Sequence, residues 1–245
     1  MTTRAVRKKQ LRSRSAERRF WMAMVAALAI LVVWGFGGSF FLRGILPHQP
    51  SYIDSPDWPL YAAHGLAFAA WMALLFVQAG LVAAGNTALH RRMGTLALLV
   101  LPLLAASGLA VIRHGARHGP FVPGMSAPGL VTVAFLSLLF FLIAISLALH
   151  LRHRPAAHKR LMLIGTMMVA GAGTTRIPAV AALDLGNFDP TQLLLVPMLW
   201  WDWHSLGRIH PATLWGGLAL VATNTAMGPL AEVAPWQALL AVLFA

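Results

Sequence analysis

The chain has 245 residues, of which 58% are hydrophobic and only 11% are charged. A typical soluble domain is about 25% charged, so the composition excludes a soluble globular protein. The 19 lysine and arginine residues outnumber the seven acidic ones, but most lie in an N-terminal arm and in short loops, so no nucleic-acid-binding patch is expected. The chain has no cysteine, which excludes disulfides, thiolate nucleophiles and cysteine-held metal sites.

The N-terminal arm carries eight of the lysine and arginine residues. We expect it to form a basic cytoplasmic segment, residues 1–19, followed by a transmembrane helical domain, residues 20–231, and an interfacial C-terminal tail, residues 232–245. The apolar run 20–42 has 23 residues, more than the roughly 7 to 15 of a signal-peptide core. It is therefore predicted to be a retained first span.

A second span is predicted at residues 60–84, which contain no charged side chain. At about 1.5 Å per residue this run is long enough to cross a hydrocarbon core of about 30 Å. Within this run, the polar side chains of His64, Trp71 and Gln78 are spaced seven residues apart. They therefore lie within roughly 40° of one another on one helix face. Polar groups in hydrocarbon need partners, so this face should look into a helix bundle, and all three residues are candidate ligand-binding residues.

The remaining apolar runs complete an all-α, polytopic transmembrane helix bundle of about seven spans. The five further spans are predicted at about 93–112, 129–148, 161–183, 190–206 and 211–230. The fourth span is apolar on all sides apart from Thr132, Ser137 and Ser146 and is expected to face lipid. The last ten residues are too few to cross and are expected at the interface.

The positive charges indicate the orientation of these spans. With the N-terminus inside, fifteen lysine and arginine residues lie inside and three lie outside, which satisfies the positive-inside rule. The loops at 85–92 and 151–160 are then cytoplasmic, and those at 43–59 and 113–128 are periplasmic. The pattern predicts a multi-pass protein of the bacterial inner membrane, with the lipid bilayer as its main partner.

Three histidines precede helices that are predicted to run from inside to outside, namely His90, His158 and His210. Histidines at one membrane face could converge on a haem iron or another metal, which makes these residues candidate metal ligands and haem b a candidate cofactor. They could equally be ordinary interfacial residues beside the phosphates of lipid head groups.

Two charged residues fall inside or at the end of predicted spans. Arg176 lies about seven residues from the outer end of its span, roughly 10 Å deep, where an unpaired charge costs several kcal/mol. It could snorkel or pair with an outer-loop aspartate (Asp54, Asp57 or Asp184), or bind an anionic ligand group such as a haem propionate, a lipid phosphate or a substrate carboxylate. Its depth is close to that of His64, so both could line one outward-facing pocket. Asp202, at the inner end of span six, is a further candidate ligand-binding residue. It is expected to pair with Arg208, Arg92 or Arg160, a structural role being favoured over proton relay.

The elements H-x6-W-x6-Q ending in LHRRMG, AHKRLM with an arginine deep in the same helix, and GRIHPATLWGG resemble a group of bacterial polytopic membrane proteins catalogued as domains of unknown function. The resemblance covers about residues 60–225, and that family carries no established activity. There is a looser similarity to the four-helix cytochrome b561 and ferric-reductase type proteins, which implies histidines at helix ends around b haems. This chain differs from them in lacking two clear in-helix histidine pairs at matched depth.

Three functions stay open at this point. The first is a haem-associated redox membrane protein, with the three histidines as ligands and Arg176 holding an anionic group. The second is a small permease or lipid-handling protein with His64, Gln78 and Arg176 in a substrate pocket. The third is an accessory subunit that packs against a membrane-protein partner or a second copy of itself. The sequence does not decide whether the protein is an enzyme, but it contains no phosphate-binding glycine loop and no HExxH motif.

Overall fold

The computed structural model describes residues 3–45, 57–119, 125–183 and 188–244. The secondary-structure elements in these ranges are α-helices, 3₁₀ helices and a π-helical turn. The predicted all-helical class is therefore confirmed. The α-helices are α1 (Thr3–Gly35), α2 (Trp58–Ala83), α3 (Thr87–Met93), α4 (Ala97–His118), α5 (Ala127–His150), α6 (Pro155–Thr174), α7 (Pro178–Ala181), α8 (Leu195–Leu206), α9 (Pro211–Ala231) and α10 (Ala234–Phe244). A π-helical turn (Gly37–Phe41) follows α1, and a 3₁₀ turn (Pro190–Leu194) precedes α8.

Four helical segments among the described residues are long and apolar enough to cross a membrane. They are Ser15–Gly35 of α1, all of α2, Thr87–His118 and all of α5. The pair α9 and α10, bent by 94° at a short break, would supply a fifth span if it is one interrupted segment. These helices agree with a multi-pass membrane protein.

The shortfall from seven spans comes from α6 and α8. Helix α6 carries Lys159 and Arg160 in its second turn, and α8 has only 12 residues. Yet α6 is the central helix, because α1, α5, α9 and the 3₁₀ turn all pack against it and 13 of its 20 residues are buried. A helix enclosed by protein does not have to be apolar on all sides.

Glycines in α6 allow its neighbours to approach closely. A Cβ atom added to Gly35 of α1 would lie 2.0 Å from the carbonyl oxygen of Gly173, so the two backbones are in contact. A Cβ atom on Gly165 would lie 2.9 Å from the Cβ of Ala144 in α5. Small residues at helix crossings have this effect in membrane bundles. The expectation that the fourth span faces lipid is therefore wrong for one side of α5, which packs along α6.

The contacts also give the directions of the helices. At one end of α6, Arg160 packs against Trp21 of α1 and bonds to Asp202 of α8. At the other end, Gly173 meets Gly35, and the residue before the 3₁₀ turn, Asp189, packs on Gly171. Helix α1 therefore runs parallel to α6, and the segment from the 3₁₀ turn through α8 runs antiparallel to it.

The predicted fifth span, 161–183, extends beyond the end of the helix in the structure. Helix α6 stops at Thr174, and Ile177 adopts an extended conformation with φ −70° and ψ 120°. Pro178 follows it, and the residue before a proline is disfavoured in the helical region. Arg176 therefore lies in the turn after the helix, and the prediction of an arginine within a helical span is corrected.

Residues 234–244, predicted to be part of an interfacial tail, form α10 and pack against α4 and α5. Leu240 and Phe244 join a buried cluster with residues of both helices, and Trp236 donates a hydrogen bond from Nε1 to Thr132 Oγ1 at 2.9 Å. The sharp bend between α9 and α10 turns the end of the chain across the bundle.

Candidate functional site

A cavity of about 370 Å³ lies at the end of the bundle where α6 terminates. Its walls come from the end of α1 and the π-helical turn, and from α2, α4, α5, α6 and α9. This volume is within the range of about 300–1,000 Å³ that small-molecule sites occupy. Most of the lining is aromatic or aliphatic, and the polar side chains are few: His64, Ser137, Thr175, Arg176, Asp189 and Asn224, with the Tyr61 hydroxyl.

His64 has a defined hydrogen bond on one ring nitrogen. Its Nδ1 lies 3.1 Å from the Ser107 hydroxyl, and that hydroxyl donates its own proton to the Leu104 carbonyl at 3.1 Å. With the hydroxyl proton on the Leu104 carbonyl, the serine oxygen accepts from His64 in the tautomer that carries its proton on Nδ1. In the neutral ring, Nε2 is then the atom with a free lone pair.

Arg176 lines the same cavity as His64. Its Nη1 donates to the carbonyl of Ala172, one turn earlier in the chain, and its guanidinium carbon lies 4.9 Å from the centre of the Phe36 ring. The second contact has the geometry of a cation–π interaction. Backbone and aromatic contacts of this kind compensate part of the cost of a charge at this depth. Of the aspartates expected to pair with it, Asp54 and Asp184 lie outside the described residues.

Asp189 is a cavity residue that sequence reasoning missed. Its side chain is only 8% exposed, and it caps the 3₁₀ turn by accepting from the Thr191 N–H at 2.8 Å. Thr174 Oγ1 donates to the same carboxylate at 3.2 Å. The carboxylate also fills the space above Gly171, where a Cβ atom would lie 1.9 Å from Oδ2. Because Gly171 has no side chain, the carboxylate packs directly against α6.

Asn224 of α9 was also missed. It is 7% exposed and lines the cavity, and its Nδ2 has no hydrogen-bond partner among the residues that the structure describes. A buried donor without a partner is costly and calls for an explanation. The available signal was a single asparagine within an apolar helix, a pattern that in membranes points to a functional site.

Trp71 and Gln78, predicted to share a ligand-binding face with His64, lie outside the cavity lining. Trp71 is 1% exposed, and its Nε1 donates to Thr166 Oγ1 of α6 at 3.2 Å. The Gln78 amide, oriented to satisfy its neighbours, donates to the His90 carbonyl and accepts from the Gly94 N–H, both at 3.0 Å. All three side chains contact other helices or turns, but only His64 reaches the cavity.

Asp202 lies at the opposite end of α6 in what we call the charged cluster, Arg160, Asp202, Thr213 and the backbone of His210. Arg160 Nε is 3.1 Å from Asp202 Oδ1, and Nη2 of the same guanidinium also donates to this oxygen. Thr213 Oγ1 and the His210 N–H donate to Oδ2 at 2.6 and 3.1 Å. Arg160 is thus the partner of Asp202 among the three arginines expected from the sequence. Arg160 and Asp202 are 2% and 0% exposed, so this ion pair is internal.

The three histidines predicted as metal ligands have separate hydrogen-bond partners. His158 Nδ1 lies 2.8 Å from the Ala148 carbonyl, and His210 Nδ1 accepts from the Ala212 N–H at 3.1 Å and so caps α9. His90 is held by Gln78. In the described ranges, no three His, Asp or Glu side chains are grouped as a metal site would require. Burial lowers the pKa of His210, and the positive charge of Arg160 lowers it further.

Comparisons with protein-family models, with curated proteins and with solved structures found no match to this chain. The resemblance to bacterial polytopic membrane proteins therefore stays a prediction.

Proposed function

We propose that this chain is a membrane protein that takes a small amphiphilic ligand from the bilayer into the cavity, as a small permease or a lipid-handling protein would. The observation that carries the proposal is the cavity itself. It combines apolar walls with a few polar side chains, beside the main buried core of the bundle. Such a combination is the usual form of a small-molecule site.

The proposed topology has seven crossings with the N-terminus in the cytoplasm of a bacterial cell. The crossings are α1, α2, α3–α4, α5, α6, the 3₁₀ turn with α8, and α9. The cavity supports the alternation, because its lining includes the ends of α1, α4, α6 and α9 and the beginnings of α2 and α5. The distribution of lysine and arginine then puts the cavity at the periplasmic end and the charged cluster at the cytoplasmic end.

The haem hypothesis is a second candidate, and one contact favours it. The Nδ1 atom of His158 faces a backbone carbonyl and leaves Nε2 available, which is the arrangement that metal-bound histidines commonly adopt. A reducible Soret band in protein purified from haem-supplied cells, reduced in His158→Ala, would support it. Colourless protein from the same cells would leave the cavity proposal as the only one.

The cavity proposal is tested by asking what the protein retains on purification. Protein in a mild detergent is extracted with organic solvent, and the extract is analysed by mass spectrometry. Val169→Trp, which fills the cavity, is compared with Leu139→Trp, which adds the same side chain on the exposed face of α5. We expect a co-purified amphiphile in the wild type and in Leu139→Trp, and its loss in Val169→Trp at unchanged helical content. The same extract from all three proteins would overturn the proposal.

A further inference from the structure

The two charges of the cavity are engaged within the protein. Arg176 bonds to the Ala172 carbonyl and lies over Phe36. Asp189 caps the 3₁₀ turn and accepts from Thr174. The two formal charges are opposite, so together they add no net charge to the cavity. A ligand head group with its own full charge would be transferred into an apolar site without a dedicated counter-ion, which is unfavourable.

Two neutral side chains of the cavity wall, Asn224 and His64, are suited to recognise a ligand. The Asn224 amide presents a donor, Nδ2, that has no partner in the described part of the chain and is more than nine-tenths buried. In the tautomer that donates from Nδ1 to Ser107, the ring of His64 presents an acceptor, Nε2. The cavity thus offers a buried donor and an acceptor among apolar walls, in addition to the hydroxyl groups of Ser137 and Thr175.

We propose that the ligand is an uncharged amphiphile whose head is a hydroxyl group, such as a long-chain alcohol or a phenol. This inference rests on the proposed function and names its substrate class. A hydroxyl oxygen can accept a hydrogen bond from Asn224 Nδ2, and its single proton can be donated to an acceptor of the cavity wall such as His64 Nε2. The apolar part of the molecule lies against Phe36 and Phe40, from the segment that follows α1, and against Phe68 of α2.

The class assignment explains why α9 tolerates a buried asparagine at this position. An amide whose role was to hold the bundle together would bond to a neighbouring helix, as Trp71 does to Thr166. The Nδ2 donor of Asn224 makes no such bond within the described ranges. Replacing it with leucine therefore removes an unsatisfied donor, so the ligand-free protein should be as stable as the wild type or more stable. The loss should appear only in ligand binding.

The experiment compares three probes that share one chain and differ in head charge: 1-decanol, decanoate and decylamine at pH 8. Binding to the full chain in lipid nanodiscs is followed by the rise in unfolding temperature with probe concentration. We expect 1-decanol to bind most tightly. Asn224→Leu should weaken its binding roughly three- to tenfold, the effect of one neutral hydrogen bond. Thr225→Val, an exposed change at the next residue of α9, should leave binding unchanged.

The outcomes separate this inference from the proposed function. Tightest binding of decanoate or decylamine would overturn the hydroxyl assignment, and the cavity would still be a ligand site. Equal loss of 1-decanol binding in Asn224→Leu and Thr225→Val, or none in either, would also overturn it. No response of the wild type to any probe would count against the cavity proposal and this inference together. A 1-decanol that carries a diazirine should label cavity-lining peptides in the wild type, and labelling confined to the outer surface would contradict both.

Discussion

Breaking the internal ion pair between Arg160 and Asp202 should destabilise the protein far more than breaking an exposed pair one residue away. In Asp202→Asn the charge is lost, and an amide N–H₂ replaces one acceptor oxygen in a site where Arg160, Thr213 and the His210 N–H all donate. Arg160 is 2% exposed and has no route to water for compensation. Removing one partner of such a buried pair costs about 3–5 kcal/mol.

The control is Glu17→Gln, which breaks the ion pair between Glu17 and Lys159. These side chains are 46% and 24% exposed, so their pairing is worth about 0–1 kcal/mol. For a protein of this size 1 kcal/mol moves the unfolding temperature by roughly 2–4 °C, so Asp202→Asn should lower it by roughly 6–20 °C and Glu17→Gln by at most about 4 °C. The measurement is thermal unfolding in one detergent, followed by far-UV circular dichroism.

A double variant sharpens the test. In Arg160→Met with Asp202→Leu neither charge is left unpaired, so most of the loss should be recovered, as happens when buried ion pairs are replaced by apolar side chains. Asp202→Asn and Glu17→Gln with the same small shift in unfolding temperature would refute the reasoning, because Asp202 would then be solvated.

Three further predictions follow from particular contacts. Gly35→Ala should lower the free energy of unfolding by at least about 1–3 kcal/mol, because the new Cβ atom would overlap the Gly173 carbonyl. Gly80→Ala is the control and should be neutral or slightly stabilising, because no neighbouring atom lies within 4 Å of its Cβ position. Equal melting temperatures of the two variants would contradict the close contact between α1 and α6. His210 caps α9 through an unprotonated Nδ1, and its pKa is lowered in the folded protein. The stability that it contributes is therefore present above the unfolded-state pKa of about 6.5 and is lost as the pH falls through the lower folded-state pKa. His210→Asn keeps a capping acceptor and should flatten melting temperature against pH, and an unchanged slope would exclude this residue as its cause. Reporter fusions at 88 and 156 should be active in the cytoplasm and one at 118 in the periplasm, and a periplasm-active fusion at 156 would overturn the proposed topology.

The sequence predicted the helical class and the neighbourhood of His64 and Arg176, because both depend on local signals. Length and apolarity identify the spans. The number of residues from the end of each span gives the depth of a side chain in the membrane, and this depth is similar for His64 and Arg176. The early end of α6 had a local signal as well, since Ile177 precedes a proline. It was overlooked because the apolar residues on both sides of Pro178 continue the hydropathy of the span.

Asp189 and Asn224 could not be assigned in the same way. Asp189 reaches the cavity because Gly171, eighteen residues earlier, has no side chain to exclude it. Asn224 joins the site through the packing of α9 on α5 and α6. Contacts of this kind are set by tertiary structure, and without an alignment of related chains no periodicity within one helix reveals them. The error for α5 has a related cause, because lipid tails and the apolar side chains of a neighbouring helix are equally good surroundings for leucine and phenylalanine.

The two helices that are too polar or too short to count as spans carry the internal ion pair and lead to Arg176. Helix α6 bears Arg160 and ends at the turn with Arg176, and the short α8 bears Asp202. Such groups are too costly to face lipid, so they are tolerated where other helices surround them, as α1, α5 and α9 surround α6. The polar side chains that allow a central helix to hold a site also lower the hydropathy of that helix. This is why the seven crossings that we propose exceed the four or five that apolarity alone identifies.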